Sequence, residues 1–213
     1  MTYSIPIISL ENLNSGDDIT YKQLGVQICR ATADVGFFYI RDYGIEPALV
    51  QSALNASKTF FSFDLDIKKS VAVNQLNRGF MGIGECILPN ALRHCIKEVF
   101  FWGPEQLGSA SSELPLVGAN NWPVFMPSLR ADLEPYYQAV IKCGERLLRA
   151  IALAFNLPRD FFQSRYTSPL ARGQLLHYPA PTNDLGEDGF GASAHTDFGC
   201  ITLLWQDDSG GLE

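Results

Sequence analysis

The chain has 213 residues, 46% of them hydrophobic and 18% charged, which is typical of a globular protein with enough apolar material for one substantial core. Its formal net charge of −7 argues against nucleic acid and anionic membranes as partners, because both are bound through concentrated positive charge. The five cysteines are scattered without a Cys-x-x-Cys pair, which argues against a disulfide framework or a structural zinc site and predicts reduced thiols in a cytoplasmic protein.

The first forty residues predict a strand, a helix and a second strand. Ile5 to Leu10 is a short apolar run of the kind that forms a strand. Asp17 and Asp18 offer helix caps ahead of a segment whose apolar residues recur at helical spacing, and Gly36 closes that segment. Phe37 to Ile40 then has the composition of a buried strand.

A second helix and a strand rich in aromatic residues are predicted next. Pro47 stands at a position that the first turn of a helix tolerates. The predicted core-facing stripe of that helix consists of Val50, Leu54, Ser57 and Phe61. Val99 to Trp102 is a run of bulky residues that indicates a strand, and we expect Lys97 and Glu98 beside it to face water.

A long amphipathic helix and a β-rich segment complete the chain. Apolar residues recur at steps of three and four from Leu129 to Ala154, and Pro135 should kink this helix or mark where its continuous part begins. Residues 174–178 and 193–206 have strand composition, with a loop rich in proline, glycine and acidic residues between them. The chain is thus expected to consist of three regions, residues 1–110, 111–172 and 173–213.

The second of these β segments carries His195 and Asp197. A strand places residues i and i+2 on one face, so the imidazole and the carboxylate converge as two metal ligands would. Together with a second histidine they would make the facial triad of non-haem Fe(II) oxygenases, which leaves three positions of an octahedron open. A hydrogen-bonded pair of side chains on a strand, with no metal, is the other interpretation of the same spacing.

Four stretches, in order along the chain, resemble the isopenicillin N synthase-like branch of the Fe(II)/2-oxoglutarate-dependent dioxygenases. Ile5–Leu10 is similar to the opening strand of that family. Gly36–Ile45 is similar to its Gly-Phe-Phe-x-(Ile/Val)-x-Asn-His-Gly-Ile segment, with Asp-Tyr in place of Asn-His. Leu175–Pro179 resembles the strand that carries a cosubstrate tyrosine, and His195–Leu212 resembles the metal strand and its successor.

The resemblance implies an α+β fold in which N-terminal helices pack on a double-stranded β-helix, or jelly roll. It also implies an enzyme that couples decarboxylation of 2-oxoglutarate and reduction of O2 to oxidation of a small organic substrate. His195 and Asp197 would bind Fe(II), and Tyr178 would donate a hydrogen bond to the cosubstrate. His177, which alternation in the strand turns the other way, is expected to be a packed or surface residue.

Two sequence motifs of the family are not matched in this chain. The family's second metal-binding histidine and an Arg-x-Ser that holds the far carboxylate of 2-oxoglutarate lie several dozen residues beyond the aspartate, whereas this sequence ends at Glu213. Neither His94 nor His177 stands where the third ligand would be. We therefore expect an incomplete jelly roll, and two alternatives stay open: a truncated, inactive product or fragment, and an oxidase of the same family that uses no 2-oxoglutarate.

An incomplete jelly roll would expose a strand edge. Ile201, Leu203 and Trp205 alternate with Thr202, Leu204 and Gln206, so both faces of this predicted strand need cover. Exposed edges pair with other chains, and the sequence therefore predicts self-association through this segment.

Overall fold

The computed structural model describes residues 4–14, 16–85, 96–105, 116–167, 169–180, 197 and 199–210. The chain divides into two compact units, neither of which is one continuous stretch of sequence. The first unit consists of residues 1–46, 138–168 and 197–213, and the second of residues 47–137 and 169–196.

The first unit begins with two short parallel strands joined through a helix. Strand β1, Ile7–Ser9, pairs with β2, Tyr39–Arg41, and helix α1, Asp18–Asp34, lies between them in sequence after a short 3-10 helix, Glu11–Asn14. Asp17 caps α1 by accepting a hydrogen bond from the Thr20 N–H at 2.8 Å. Gly36 ends it with a φ of +87°, a value that glycine adopts without strain. The predicted helix boundaries are confirmed.

One face of this small sheet packs against the core of the first unit. Phe38 and Ile40 lie against the core of the first unit, while Phe37 is 72% exposed and Tyr39 is also exposed. The prediction of a buried strand from Phe37 was therefore wrong on two points, since the strand begins at Tyr39 and alternate side chains face outward. A two-stranded sheet with one covered face buries every second residue.

The core of the first unit forms where α1 meets helix α4, Ser128–Ala154, whose residues from 138 onward belong to this unit. The helices approach so closely that a Cβ on Gly25 would lie 1.9 Å from the Ala150 carbonyl oxygen. The helix is unbroken at Pro135, so that proline does not mark its beginning. Ile201 and Leu203 pack against this core.

No strand is assigned within residues 199–206, contrary to the strand predicted over 193–206. The first four residues of that prediction, and Phe198 within it, lie outside the described residues. Alternation of apolar residues satisfied the pattern of a strand, but a strand also needs a hydrogen-bonded neighbour, and none of the described strands pairs with this segment.

The second unit contains a three-stranded antiparallel sheet with helices beside it. Its strands β3, Gly79–Met81, β4, Glu98–Trp102, and β5, Gly173–His177, lie in the order β3-β4-β5. The central strand β4 is buried along its whole length. Residues Pro47–Phe61 form α2 and Leu65–Lys69 form α3.

Aromatic packing joins α2 to the sheet. The Phe60 ring lies 4.9 Å from that of Phe100 and 6.1 Å from that of Phe80, between ring centroids. The buried residues of α2 are Ala53, Ala56, Phe60 and Phe61. The predicted stripe was therefore displaced by about one position, because Phe60 rather than Leu54 or Ser57 sets which face meets the sheet.

No helix among the described residues is long and apolar enough to cross a bilayer.

Candidate metal and cosubstrate site

The three residues predicted to form the metal and cosubstrate site are described unequally. Tyr178 directly follows β5, and 49% of its surface is exposed. Asp197 is exposed in the first unit. His195 lies outside the described residues, so its distance from Asp197 is not defined and the ligand pair stays a prediction.

The described residues contain no cluster of three or more His, Cys, Asp or Glu side chains that could hold a metal ion. His94, Cys86 and Cys95 also lie outside the described part of the chain. Cys29, Cys143 and Cys200 have free thiols.

The position of Tyr178 in the chain is set by the pairing of β5 with β4. Gly173 lies opposite Trp102 at one end of this pair, and His177 lies opposite Glu98 at the other. Glycine is required opposite Trp102, because a Cβ on Gly173 would approach the indole ring to 2.2 Å. The register is therefore fixed at the end remote from Tyr178 by close packing.

At the end next to Tyr178, the register is fixed by a charge network. Glu98 is only 6% exposed, and its two carboxylate oxygens have separate partners. The Lys68 ammonium lies 2.7 Å from Oε1, and Nδ1 of His177 lies 2.8 Å from Oε2. Lys68, itself 5% exposed, also donates to the Phe61 carbonyl at 3.1 Å. The expectation that Glu98 faces water was wrong.

The charges define the tautomer of His177. A carboxylate paired with an ammonium group can only accept hydrogen bonds, so Nδ1 of His177 must carry the proton that is shared with Glu98. In the neutral ring this places the lone pair on Nε2. The ring also stacks on Phe61, with 5.2 Å between centroids and 27° between planes, so His177 is a packed residue as predicted.

The sequence carried one sign of this network that pattern reading missed. Glu98 stands at the head of an otherwise apolar run that ends at Trp102, and a charged residue in a buried strand requires a partner. Lys68 gave no such sign, because a lysine in a short helix is ordinarily solvated.

Arg78, the residue before β3, is completely buried. Its guanidinium donates to the carbonyl groups of Leu76 and Leu116 at 3.0 Å each and of Asn77 at 3.2 Å. These bonds tie the segment before β3 to residue 116, so Arg78 serves to hold the backbone together.

Glu105 organises the segment that follows β4. It accepts hydrogen bonds from the side chains of Asn120 and Trp122, both at 2.9 Å, and lies 3.9 Å from Arg130. Burial by itself raises the pKa of the Glu105 carboxyl, but the hydrogen bonds from Asn120 and Trp122 and the charge of Arg130 together leave that pKa below its usual range.

The sequence also resembles known proteins. Residues 5–124 match the family described as the non-haem dioxygenase in morphine synthesis N-terminal. The 2-oxoglutarate-Fe(II) type oxidoreductase hxnY of Emericella nidulans is 30% identical over 219 residues, which cover 98% of this chain and 62% of that protein. The 1-aminocyclopropane-1-carboxylate oxidase of Dictyostelium mucoroides is 27% identical over 243 residues, covering 98% and 65% respectively.

The fold is shared with a solved structure. A full-length protein of Neurospora crassa, crystallised in complex with alpha-KG and 5-formyluracil, superposes with a TM-score of 0.80 and 26% identity over 97% of this chain and 63% of that chain. The chain thus spans somewhat less than two thirds of the length of these proteins. The matched residues and the shared fold together show that the chain belongs to the Fe(II)/2-oxoglutarate-dependent dioxygenase family, whose members have the jelly-roll fold.

Proposed function

We propose that this protein is a non-haem iron oxidoreductase that couples decarboxylation of 2-oxoglutarate and reduction of O2 to oxidation of a small organic substrate. The match of residues 5–124 to the non-haem dioxygenase family carries this proposal. The names of the relatives support the cofactors, Fe(II) and 2-oxoglutarate.

The donor atoms of the predicted site fit iron. His195 offers an imidazole nitrogen and Asp197 a carboxylate oxygen, which is the mixture that non-haem Fe(II) sites use. Asp197 is exposed, so a metal ion can reach it from solvent. Bound iron would supply the redox chemistry by which O2 and 2-oxoglutarate react.

The protein's own residues would bind and orient the reactants. Asp197 contributes a hard anionic ligand and His195 a neutral one, so the pair cancels only one of the two charges of Fe(II). The Tyr178 hydroxyl, at the end of a strand held in register at both ends, would donate a hydrogen bond to 2-oxoglutarate. Each of these roles depends on a fixed geometry rather than on acid–base chemistry.

Metal binding is the direct test. Asp197→Ala should weaken binding of Mn(II), a redox-silent substitute for Fe(II), as measured by electron paramagnetic resonance titration of the full protein. Asp208→Ala is the matched control, because Asp208 is an exposed acid in the same segment and its loss changes the net charge equally. Equal Mn(II) affinity in wild type and Asp197→Ala would refute the assignment of Asp197.

Oxidation without 2-oxoglutarate is a second candidate, and the similarity to a 1-aminocyclopropane-1-carboxylate oxidase favours it. The two candidates differ in their products. Succinate formed from 2-oxoglutarate by the iron-loaded protein supports the first, whereas O2 consumption that leaves 2-oxoglutarate intact supports the second.

The substrate class that we propose is a small organic molecule. The Neurospora crassa structure holds 5-formyluracil, so small heterocyclic compounds are a suitable first set for screening by O2 consumption. A cytoplasmic location is likewise a proposal, and it agrees with the free thiols of the cysteines that the structure describes.

A further inference from the structure

The Lys68–Glu98–His177 network ends one residue before Tyr178. Glu98 and His177 form the last opposed pair in the β4–β5 register, and Tyr178 is the next residue along the chain. We propose that this network is a positioning device for Tyr178, with His177 as its positioning residue. The inference rests on the proposed function, because it concerns the tyrosine assigned to the cosubstrate.

The network is stiff because both carboxylate oxygens of Glu98 and the Lys68 ammonium have defined partners. One carboxylate oxygen of Glu98 accepts from Lys68 and the other from His177, and Lys68 also donates to the last residue of α2, Phe61. The buried charges of Lys68 and Glu98 tolerate little displacement, since separation of the two would leave each charge uncompensated in an apolar surrounding. One network thus ties α2, α3 and β4 to the end of β5.

Two contacts restrain the rotation of the His177 ring. Its face stacks on Phe61, and its Nδ1–H points at Glu98. Since the side-chain direction and the backbone direction of a residue are coupled, a fixed ring also fixes the peptide that leads to Tyr178. Tyr178 itself is 49% exposed, so packing restrains only part of its surface.

Variants at His177 and at one control position separate the effect of the network from that of the strand. His177→Leu removes the donor to Glu98, and His177→Asn keeps an amide N–H close to the position of Nδ1. Gln174→Ala is the matched control, because Gln174 lies exposed on the same strand and outside the network. Should His177→Leu fail to fold, His177→Phe removes the donor while it keeps an aromatic ring against Phe61.

The direct readout is the fluorine resonance of Tyr178 in full protein labelled with 3-fluorotyrosine, assigned by its loss in Tyr178→Phe. We expect His177→Leu to shift or broaden this resonance, His177→Asn to restore it and Gln174→Ala to leave it unchanged. A structural role confined to stability would lower the melting temperature without moving this signal selectively among the eight tyrosines.

Calorimetry measures the binding of 2-oxoglutarate to the Mn(II)-loaded protein. It tests whether the position of Tyr178 affects the hydrogen bond that this residue would donate to the cosubstrate. His177→Leu should weaken this binding roughly tenfold, as loss of one hydrogen bond to a charged ligand does. In a Tyr178→Phe background the same change should have little further effect. Equal losses in both backgrounds would refute the coupling between the two residues.

An unchanged Tyr178 resonance in folded His177→Leu or His177→Phe would overturn the positioning role outright. The resonance does not depend on any ligand. A protein whose Tyr178 signal responds as expected, but which binds no 2-oxoglutarate, would refute the proposed function and leave the positioning of Tyr178 standing.

Discussion

At the scale of single residues, variants of Lys68 and Glu98 test whether this buried ion pair adds net stability to the second unit or only makes its folded arrangement specific. Both are nearly inaccessible to solvent. Lys68→Met should lower the free energy of unfolding by about 3–5 kcal/mol, because it leaves the Glu98 carboxylate buried without its ammonium partner. Urea denaturation measures this, and Lys69→Met, at the exposed neighbouring lysine, is the control.

The double variant Lys68→Met/Glu98→Leu should recover most of that loss. Replacing both members of a buried ion pair by apolar residues is often neutral or stabilising, since the cost of desolvating two charges disappears with them. A double variant as unstable as Lys68→Met alone would show that the pair contributes net stability. Comparison of the two variants therefore separates the net contribution of the ion pair to stability from the stability that is lost when only one partner is removed.

The lowered pKa of Glu105 predicts how the stability of the folded protein depends on pH. Its pKa is lowered in the folded protein by hydrogen bonds from Asn120 and Trp122 and by the charge of Arg130, against the opposing effect of burial. A carboxyl with a lowered folded pKa contributes stability above its unfolded pKa, and this contribution is lost as the pH falls through the folded value.

Glu105→Gln should therefore cost stability at neutral pH, and the difference from wild type should shrink as the pH falls through the ordinary carboxyl range. Denaturant unfolding at a series of pH values measures this. Glu145→Gln, at an exposed glutamate, removes the same charge and is the matched control. A gap between wild type and Glu105→Gln that widens in acid would contradict the assignment.

At the scale of elements, Gly25 lies where α1 crosses α4. Helix propensity alone would favour alanine over glycine at this position. Gly25→Ala should gain about 1 kcal/mol in propensity. However, its Cβ would lie 1.9 Å from the Ala150 carbonyl oxygen, a backbone atom that cannot rotate away. We expect a net loss of roughly 1–3 kcal/mol in the free energy of unfolding, as for overpacked cores.

Gly144 in α4 supplies the comparison. A Cβ there would lie 3.4 Å from the nearest side-chain carbon of Ile201, a contact that small movements accommodate. Gly144→Ala should thus be near neutral in the same urea titration. Similar stability of the two alanine variants would mean that α1 and α4 separate easily, contrary to the packing described.

The same elements show which parts of the fold were predictable. Helix α1 was predictable because its ends depend on local chemistry, the Asp17 cap and the positive φ of Gly36. The buried face of α2 was misplaced because it is set by Phe60 packing on Phe80 and Phe100, which are distant in sequence. Alternation of apolar residues did not show whether residues 199–206 pair with another strand, because the sequence of one segment does not identify a partner strand.

Of the candidate site, the sequence predicted Tyr178, His195 and Asp197 through resemblance, and these assignments stay predictions. The sequence alone did not predict the Lys68–Glu98–His177 network, whose members come from three elements. Spacing along the chain predicts ligands within one segment. It does not identify partners that only the packing of helices on a sheet brings together.

At the scale of the whole molecule, the predicted self-association must be reconsidered. Ile201 and Leu203 pack against the core of the first unit, whereas Leu204 and Trp205 are 59% and 42% exposed. Leu203→Lys should therefore destabilise the protein rather than release monomers. Leu204→Lys is the variant that tests association, because it charges the outward side without disturbing the core.

Sedimentation velocity over a range of concentrations measures the effect. If the protein self-associates through this segment, Leu204→Lys should increase the monomer fraction and leave the melting temperature unchanged. A wild type that sediments as a monomer at all concentrations would remove the basis for self-association.

The discontinuous first unit has a consequence for synthesis on the ribosome. Arg159 donates a hydrogen bond to the Gly16 carbonyl, 143 residues earlier in the chain, and Lys22 bonds to Asn156 across 134 residues. Helix α1 thus leaves the exit tunnel long before α4 exists to cover its apolar side. At about 5–20 residues per second this interval lasts roughly 10 s, during which the nascent N-terminal segment exposes an apolar surface that chaperones bind.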